Sequence, residues 1–472
     1  MAGRLAKFFG AQDMTQGKPM NLIIQFAVPL LIGNIAQQLY NTVDSIVVGR
    51  YIGDGALAAV GAAGPILNLM LVLFMGISTG AGIIVSQYFG AKQKEQLSKT
   101  VGNALTLTLI SSVFIMVVGT LITPWLVTIL NTPAEIYDWT CDYLIIIFLG
   151  IAGLSYYNIL SGILRGLGDS ISPLIFLLIA CGINIVLDIY FVAVLQLGVA
   201  GVAYATVIAQ IVSAILCLIK TCMMKDVLTI NLKTMAITKE LTSKILKLGM
   251  PSGLTQGIFS MAMIVVQSLT NSLGTDVIAC NVVVMRIDGF AMMPNFTFGI
   301  AMTTYAGQNV GAGSFDRVKK GTRDGIILSV AVSAFMTLCI VLFGYNLSKL
   351  FTTTERVIQL SIIAMRILAV GYIAMAVTQT LSGTMRGAGD TMTPMWISII
   401  TTVIIRVPLA YALAFLTRCD EWPNGRPEAL FTSLLTSWVM GAVLTALFYK
   451  KGKWKKLAEK SYAEAIAEGK AK

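Results

Sequence analysis

Long apolar runs occupy most of this chain and limit its possible folds more than any other feature. A helix needs about 20 mostly apolar residues to cross a bilayer. The runs do not alternate every second residue, which argues against a membrane β-barrel. The sequence predicts an all-α membrane protein with about twelve spans, near residues 21–49, 56–85, 100–123, 137–160, 171–194, 199–222, 245–272, 277–306, 322–345, 358–382, 393–417 and 429–450.

The residue composition supports a membrane class and narrows the possible chemistry. The chain has 472 residues, of which only 12% are charged, and its mean hydropathy is +0.80. It contains no histidine, which argues against haem, zinc enzymes and histidine proton relays and leaves carboxylates as proton carriers. The seven cysteines lack CxxC spacing, so we expect packing residues. We predict no enzyme activity and no cofactor.

Basic residues predict the orientation in the membrane. With twelve spans, 26 of the 34 lysines and arginines lie on the side that carries the N-terminus, the even-numbered loops and the C-terminus. Because cytoplasmic loops carry the excess of basic residues, we predict a multi-pass protein of the plasma (inner) membrane with both termini cytoplasmic. No cleavable signal pattern precedes the first run, so we expect a retained span. The net charge of +11 indicates this topology and contact with anionic lipids, not nucleic acid.

An internal repeat divides the chain into two halves. The stretch SGILRGLGDSISP at 161–173 matches SGTMRGAGDTMTP at 382–394 at 7 of 13 positions, and QYFGA at Gln87 matches QNVGA at Gln308, both with an offset of 221. In both long motifs an arginine precedes an aspartate by four residues, so local pairing could fix the turn. Like-oriented repeats predict two six-helix lobes related by a pseudo-two-fold axis along the membrane normal. The predicted domains are an N-terminal cation-coupling lobe, a cytoplasmic linker, a C-terminal lobe and a basic cytoplasmic tail, at 1–222, 223–244, 245–450 and 451–472.

Three carboxylates fall inside predicted spans, namely Asp44, Asp188 and Asp288. A central aspartate costs about 2.5–3.5 kcal/mol to insert, and such residues are functional candidates by default. The helical spacing puts Asp44 on one face of the first span with two supporting polar residues, Gln37 and Asn41. It puts Asp188 on one face of the fifth span with Asn184. If the two faces meet, the pair can exchange a proton or Na⁺. The alternative is that the aspartates only join helices through hydrogen bonds, and Asp288 could pair with an intramembrane arginine.

The second half lacks this carboxylate pair. The offset of 221 places Val265 opposite Asp44 and Leu409 opposite Asp188, so ion chemistry is predicted in the first half. The second half is rich in methionine, which forms adaptable surface for varied ligands, although packing or lipid contact is the plainer explanation. Three arginines also lie in its spans, where they contact anionic substrate groups, reach lipid heads or pair with Asp288; they are Arg286, Arg366 and Arg406. The candidates for a substrate cavity are Gln256, Met263, Gln267, Arg286, Asp288, Met292 and Arg406.

Several stretches resemble the multidrug and toxic compound extrusion (MATE) family, in its DinF-like prokaryotic branch. They are PLLIGNIAQQLYNTVDSIVVGRYIG, LRGLGDSISP, NIVLDIYF and GVAGVAYATVIAQ. The resemblance implies a V-shaped antiporter that exports organic, often cationic, compounds against H⁺ or Na⁺. It implies a cation site, with Na⁺ as a possible ligand, at Asp44, Asn184, Asp188 and Thr206, and a helix-bending proline at Pro29. The other bacterial branch has a glutamate early in span seven, and PSGLTQGIFSMAMIVVQ has none, which argues against a cation site in the second lobe.

The function predicted from the sequence is secondary antiport of small organic compounds by a monomer, with alternating access of the two lobes. One alternative is a flippase for lipid-linked oligosaccharides or other amphiphiles in the same superfamily. A major-facilitator carrier also has twelve spans, but its basic motif between spans two and three is replaced by GAKQKEQLSK. An intramembrane aspartyl protease is the weakest alternative, since the aspartate pair would have to act without histidine or metal.

Overall fold

The computed structural model describes residues 10–130, 132–231 and 233–470, with side chains described up to 467. These residues form α-helices and two π-helical segments, without a strand. One π segment, Tyr190–Val194, directly follows the helix that ends at Ile189, and the other, Ile400–Arg406, lies between the helices Met392–Ile399 and Val407–Leu416. The helices are α1 Pro19–Tyr51, α2 Asp54–Gly90, α3 Lys94–Ile129, α4 Ala134–Leu149, α5 Ile151–Gly166, α6 Ile171–Ile189, α7 Gly198–Met223, α8 Lys239–Ser272, α9 Thr275–Gly311, α10 Phe315–Lys349, α11 Glu355–Gly387, α12 Met392–Ile399, α13 Val407–Leu416, α14 Glu428–Lys451 and α15 Lys453–Lys470.

The number of helices that can cross a bilayer matches the sequence prediction. Within the described ranges, 11 helical stretches are long and apolar enough, and the pair α4–α5, bent by 53°, provides a twelfth. The bend occurs at Gly150, where an added Cβ would lie 2.3 Å from Val207 Cγ1 of α7. The predicted all-α membrane fold with about twelve spans is therefore confirmed.

The chain forms two compact units. The first consists mainly of Val28–Gly253, and the second combines Leu254–Glu464 with Met14–Ala27. The helices α1 and α8 therefore each contribute residues to both units. The domain limits given above remain predictions, because the compact units have limits of their own.

Backbone contacts between helices recur in the two units at the predicted offset. An added Cβ on Gly162 of α5 would lie 2.2 Å from Ser78 Oγ of α2, and one on Gly383 of α11 would lie 2.2 Å from the carbonyl oxygen of Gly299 in α9. Only glycine permits such close approach. The relation repeats at the next turn of each helix pair, between Gly166 and Gly82 and between Gly387 and Thr303. The repeat in the sequence is thus a repeat of helix packing.

The repeated turn motif of each half caps the helix that follows it. Asp169 accepts hydrogen bonds from the Ser172 amide at 2.9 Å and hydroxyl at 2.6 Å, and Asp390 accepts the same pair from Thr393 at 3.1 and 2.8 Å. Burial raises the pKa of Asp169, and the Ser172 hydrogen bonds oppose that shift. The expected local pairing with the preceding arginine is replaced by capping, because the first amides of a helix need acceptors.

The basic segment after the last span is an additional helix, α15. Its Trp454 and Ala458 are fully buried and pack with Val310, Val318 and Met385 of the second unit. The Trp454 ring also stacks on Tyr449, with ring centroids 5.1 Å apart. The sequence predicted only a basic tail here, and the apolar residues spaced four apart explain why the segment is a packed helix instead.

Candidate functional site

The candidate cation site of the first unit is built from three helices. The α1 helix carries Asp44, α6 carries Asn184 and Asp188 one turn apart, and α7 carries Thr206. Asn184 and Asp188 are both 0% exposed. The Asn184 amide nitrogen lies 3.5 Å from Thr206 Oγ1. The structure therefore brings together the four residues that the sequence and the resemblance nominated.

The two carboxyl groups of this site lie next to each other. Asp44 and Asp188 are within hydrogen-bond reach, and each is an electrostatic neighbour of the other. Two ionised carboxylates repel each other and neither can donate a hydrogen bond. The pair consequently needs a shared proton or a bound cation to be stable in an apolar environment.

Several oxygens of the site are buried without a hydrogen-bond donor. They are Oδ1 of Asp44, Oδ1 of Asn184 and both carboxylate oxygens of Asp188. Buried polar atoms are normally paired, so a set of convergent orphan oxygens indicates a place for a positive ligand. Carboxylate and amide oxygens are hard ligands, suited to hard cations. The donor set fits either Na⁺ or a proton.

Two tyrosines complete the site. Tyr40, one turn before Asp44 on α1, lies close to the Thr206 side chain and to both carboxyl groups. Tyr143 of α4 is buried and also neighbours both carboxyl groups. Tyr40 has the helical spacing that could have identified it, but Tyr143 is brought in by tertiary packing, which no local pattern in the sequence indicates.

The supporting residues predicted on α1 are exposed or half-buried. Gln37 and Asn41 are exposed. The main-chain carbonyl oxygen of Asn41 accepts a hydrogen bond from the Ser45 hydroxyl at 2.9 Å. Pro29 lies inside the helix and is half-buried. The roles of these residues in coupling and bending remain predictions.

A second polar cluster lies inside the second unit. The Tyr372 hydroxyl donates a hydrogen bond to Asp288 Oδ1, and Asp288 interacts electrostatically with Arg406. Both guanidinium Nη atoms of Arg406 lie 3.6 Å from the Met263 sulfur. The structure thus places Asp288 within electrostatic range of one intramembrane arginine, although the two side chains do not form a direct salt bridge.

The remaining cavity candidates are distributed over the second unit. Arg286 and Gln256 are exposed, and so is Arg366. Gln267 donates a hydrogen bond to Asn271 Oδ1 at 2.8 Å. Met292 is 7% exposed and belongs to the apolar core. The assignment of these positions to a substrate cavity remains a prediction.

Comparison with known proteins identifies the family. The MatE family model matches residues 29–190 and again residues 251–412. A protein of Bacillus subtilis (strain 168) named "Probable multidrug resistance protein YoeA" is 31% identical over 421 residues, which are 87% of this chain and 90% of that protein. A "Probable multidrug resistance protein NorM" of Thermotoga maritima is 26% identical and covers 92% of this chain and 93% of its own length.

A solved structure shares the fold over nearly its full length. It is a transporter of the MOP superfamily from Pyrococcus furiosus, described as having a binding pocket of reverse polarity. It is 25% identical and has a TM-score of 0.86, and the match covers 94% of this chain and 98% of that chain. The two family matches, the apolar helices and the repeated helix packing agree, and the chain belongs to the MatE family of multidrug efflux transporters.

Proposed function

We propose that this protein exports small organic compounds by antiport, driven by entry of H⁺ or Na⁺ at the Asp44–Asp188 pair. The observation that carries the proposal is the pair itself, which is adjacent, enclosed by helices and supplied with oxygens that lack donors. Such a pair is destabilised when empty and ionised, and is stabilised by one proton or one cation. It can therefore exist in two states that differ in charge.

The packing around the pair would couple the binding of a proton or cation to the side of the membrane on which the transporter is open. When a cation or proton neutralises Asp44 and Asp188, the repulsion between them disappears, and α1 can pack differently against α6. A proline inside a helix removes one backbone hydrogen bond, so Pro29 is a suitable position for α1 to bend. We propose that this rearrangement alternates access between the two sides of the membrane and weakens substrate binding.

The relatives and the side chains of the second unit support small organic compounds of varied structure as substrates. The relatives above are named as multidrug resistance proteins, and polyspecific binding favours flexible side chains. The second unit supplies methionine and amide side chains for such contacts, including Met263 and Gln267. We further propose that the transporter functions as a monomer with both termini in the cytoplasm.

Transport by purified protein in sealed proteoliposomes tests this proposal. A pH gradient and a Na⁺ gradient are imposed separately, and movement of a fluorescent organic cation such as ethidium is followed. We expect one of the two gradients to drive uphill movement, and we expect dissipation of that gradient by an ionophore to stop it. Equal movement with and without both gradients would overturn the antiport mechanism.

A further inference from the structure

We propose that Arg406 binds a carboxylate or phosphate group of transported compounds, so that the substrates include acids and zwitterions as well as cations. The proposal rests on the proposed transport function and specifies which compounds the second unit recognises. It concerns only residues of that unit.

The guanidinium of Arg406 is buried with poor hydrogen-bond partners. The residue is 5% exposed, and its Nε has no acceptor. Its two Nη atoms face only the Met263 sulfur among the contacts described, at 3.6 Å, and a thioether is a weak acceptor. A buried charge with unused donors is costly unless a partner supplies acceptors. A guanidinium presents its donors in a planar fork that matches a carboxylate or phosphate.

Asp288 balances the charge of Arg406 without occupying the guanidinium donors. The two side chains interact electrostatically but do not form a direct salt bridge. One carboxylate oxygen of Asp288 instead accepts the Tyr372 hydroxyl. Tyr372 is itself fixed in the core, with its ring centroid 5.8 Å from that of Trp438. Asp288 therefore lowers the cost of burying the charge of Arg406 inside the membrane. The N–H groups of Arg406 stay available to a second acceptor.

The backbone at Arg406 also departs from a regular helix. The π segment Ile400–Arg406 ends at this residue, and Pro408 follows within the first turn of α13. Proline has no amide hydrogen, which explains a break in the ladder here, and π segments occur frequently at functional sites. Met263 is only half-buried, and its unbranched side chain can rotate away, which would expose the guanidinium.

Equilibrium binding to the purified full chain in nonionic detergent tests the proposal without any gradient. The probes are rhodamine 19, which carries a free carboxylate, and its ethyl ester rhodamine 6G, and binding is read by fluorescence anisotropy. We expect the wild-type protein to bind the acid roughly tenfold more tightly than the ester, as a charge-assisted pair of hydrogen bonds would give. Equal affinities would overturn the proposal while leaving ion-driven transport of cations untouched.

Variants locate the preference at one residue. Arg406→Gln should bind both dyes equally, and Arg406→Lys, which keeps the charge without the fork, should retain part of the preference. Arg366→Gln removes an exposed arginine of the same unit and should leave the preference unchanged. A preference that survives in Arg406→Gln, or is lost equally in Arg366→Gln, would overturn the assignment.

Competition between dyes and small anions for the wild-type protein tests the site without depending on the folding of a variant. Sodium benzoate and dihexanoyl phosphatidylglycerol are added separately to distinguish a small carboxylate from a lipid headgroup. We expect benzoate to displace rhodamine 19 and to spare rhodamine 6G. Displacement by the phospholipid alone would assign the site to lipid, and failure of both competitors would remove the anion site altogether.

Discussion

At the scale of single residues, two adjacent carboxyl groups are the candidates for the proposed ion coupling. Asp188 is fully enclosed, and Asp44 approaches it from another helix. Neither oxygen of Asp188 has a hydrogen-bond donor among the described residues, and the proposed proton or cation would supply the positive partner that the pair lacks. The proposed coupling can therefore be tested by changing very few atoms.

Removal of either charge should abolish coupling while preserving the fold. We expect Asp44→Asn and Asp188→Asn to insert normally but to lower the initial rate of gradient-driven efflux by more than about tenfold, because a neutral amide cannot exchange a cation. Efflux from proteoliposomes measures this rate. Asp142→Asn, which changes an exposed carboxylate of α4, is the control. Full efflux by both site variants would remove the coupling role.

Tyr40 should tune the affinity of the site for its cation. The change Tyr40→Phe deletes a hydroxyl that lies close to Thr206 and to both carboxyl groups, and one hydrogen bond from such a hydroxyl is worth about 0.5–1.5 kcal/mol. We expect the cation concentration for half-maximal transport to rise by roughly three- to tenfold. Transport rates measured over a series of cation concentrations test this expectation. Tyr51→Phe, at the exposed end of the same helix, should behave as wild type, and an unchanged Tyr40→Phe would refute the role.

The sequence predicted the acids of the site better than their surroundings. Asp44, Asn184 and Asp188 are recognisable because polar residues at helical spacing inside an apolar run are costly and therefore informative. Tyr143 was missed because a tyrosine in a membrane helix has ordinary roles at the interface. The partner of Asp288 was left open, since three arginines were available and only tertiary packing selects Arg406.

At the scale of helices, glycine contacts fix how neighbouring elements approach. The pair α9–α11 has a backbone oxygen of Gly299 directly against Gly383, and the pair α2–α5 repeats the arrangement. Contacts of this type let backbones approach closely in lipid, where van der Waals packing drives association.

An added methyl group at this crossing should destabilise the second unit. In Gly383→Ala the new Cβ would lie 2.2 Å from the Gly299 carbonyl oxygen, and overpacking of this kind costs about 1–3 kcal/mol. We expect a lower midpoint of thermal unfolding in detergent. The matched control is Gly289→Ala on α9, where an added Cβ meets nothing within 4 Å and alanine is the better helix former. Equal midpoints for the two variants would contradict the close-approach argument.

Several helices are longer than the predicted runs for a physical reason. The run predicted at 322–345 became α10, Phe315–Lys349, because hydropathy marks the part inside the bilayer while backbone hydrogen bonding continues into polar residues. The bend at Gly150 and the π segments were not predicted. They depend on contacts with other helices, such as Val207 against Gly150, and these contacts leave no periodic signal.

At the scale of the whole molecule, the repeat and the distribution of charge carried most of the information. Two motif pairs at one offset predicted the two halves, and the family matches at 29–190 and 251–412 confirm the duplication. The orientation in the membrane rests only on the basic residues. It therefore remains a prediction that labelling can test.

Two native cysteines provide that test. Cys222 lies in the last turn of α7, at its predicted cytoplasmic end, Cys419 lies after α13 on the predicted outer side, and both are exposed. In variants that retain only one of them, we expect a membrane-impermeant maleimide to label Cys419 in intact cells and to label Cys222 only after permeabilisation. The positive-inside rule gives this direction. The reverse pattern would invert the topology.

The close helix contacts at glycine also restrict which second-site mutations can suppress a defect. A defect caused by Gly383→Ala cannot be repaired by trimming its neighbour, because the neighbour is a main-chain oxygen of a residue that is already glycine. By contrast, an added Cβ on Gly321 would meet the ring of Tyr305 at 2.0 Å, so smaller residues at Tyr305 should rescue Gly321→Ala. Selection for restored transport should therefore return only same-site revertants for Gly383→Ala and second-site changes at Tyr305 for Gly321→Ala.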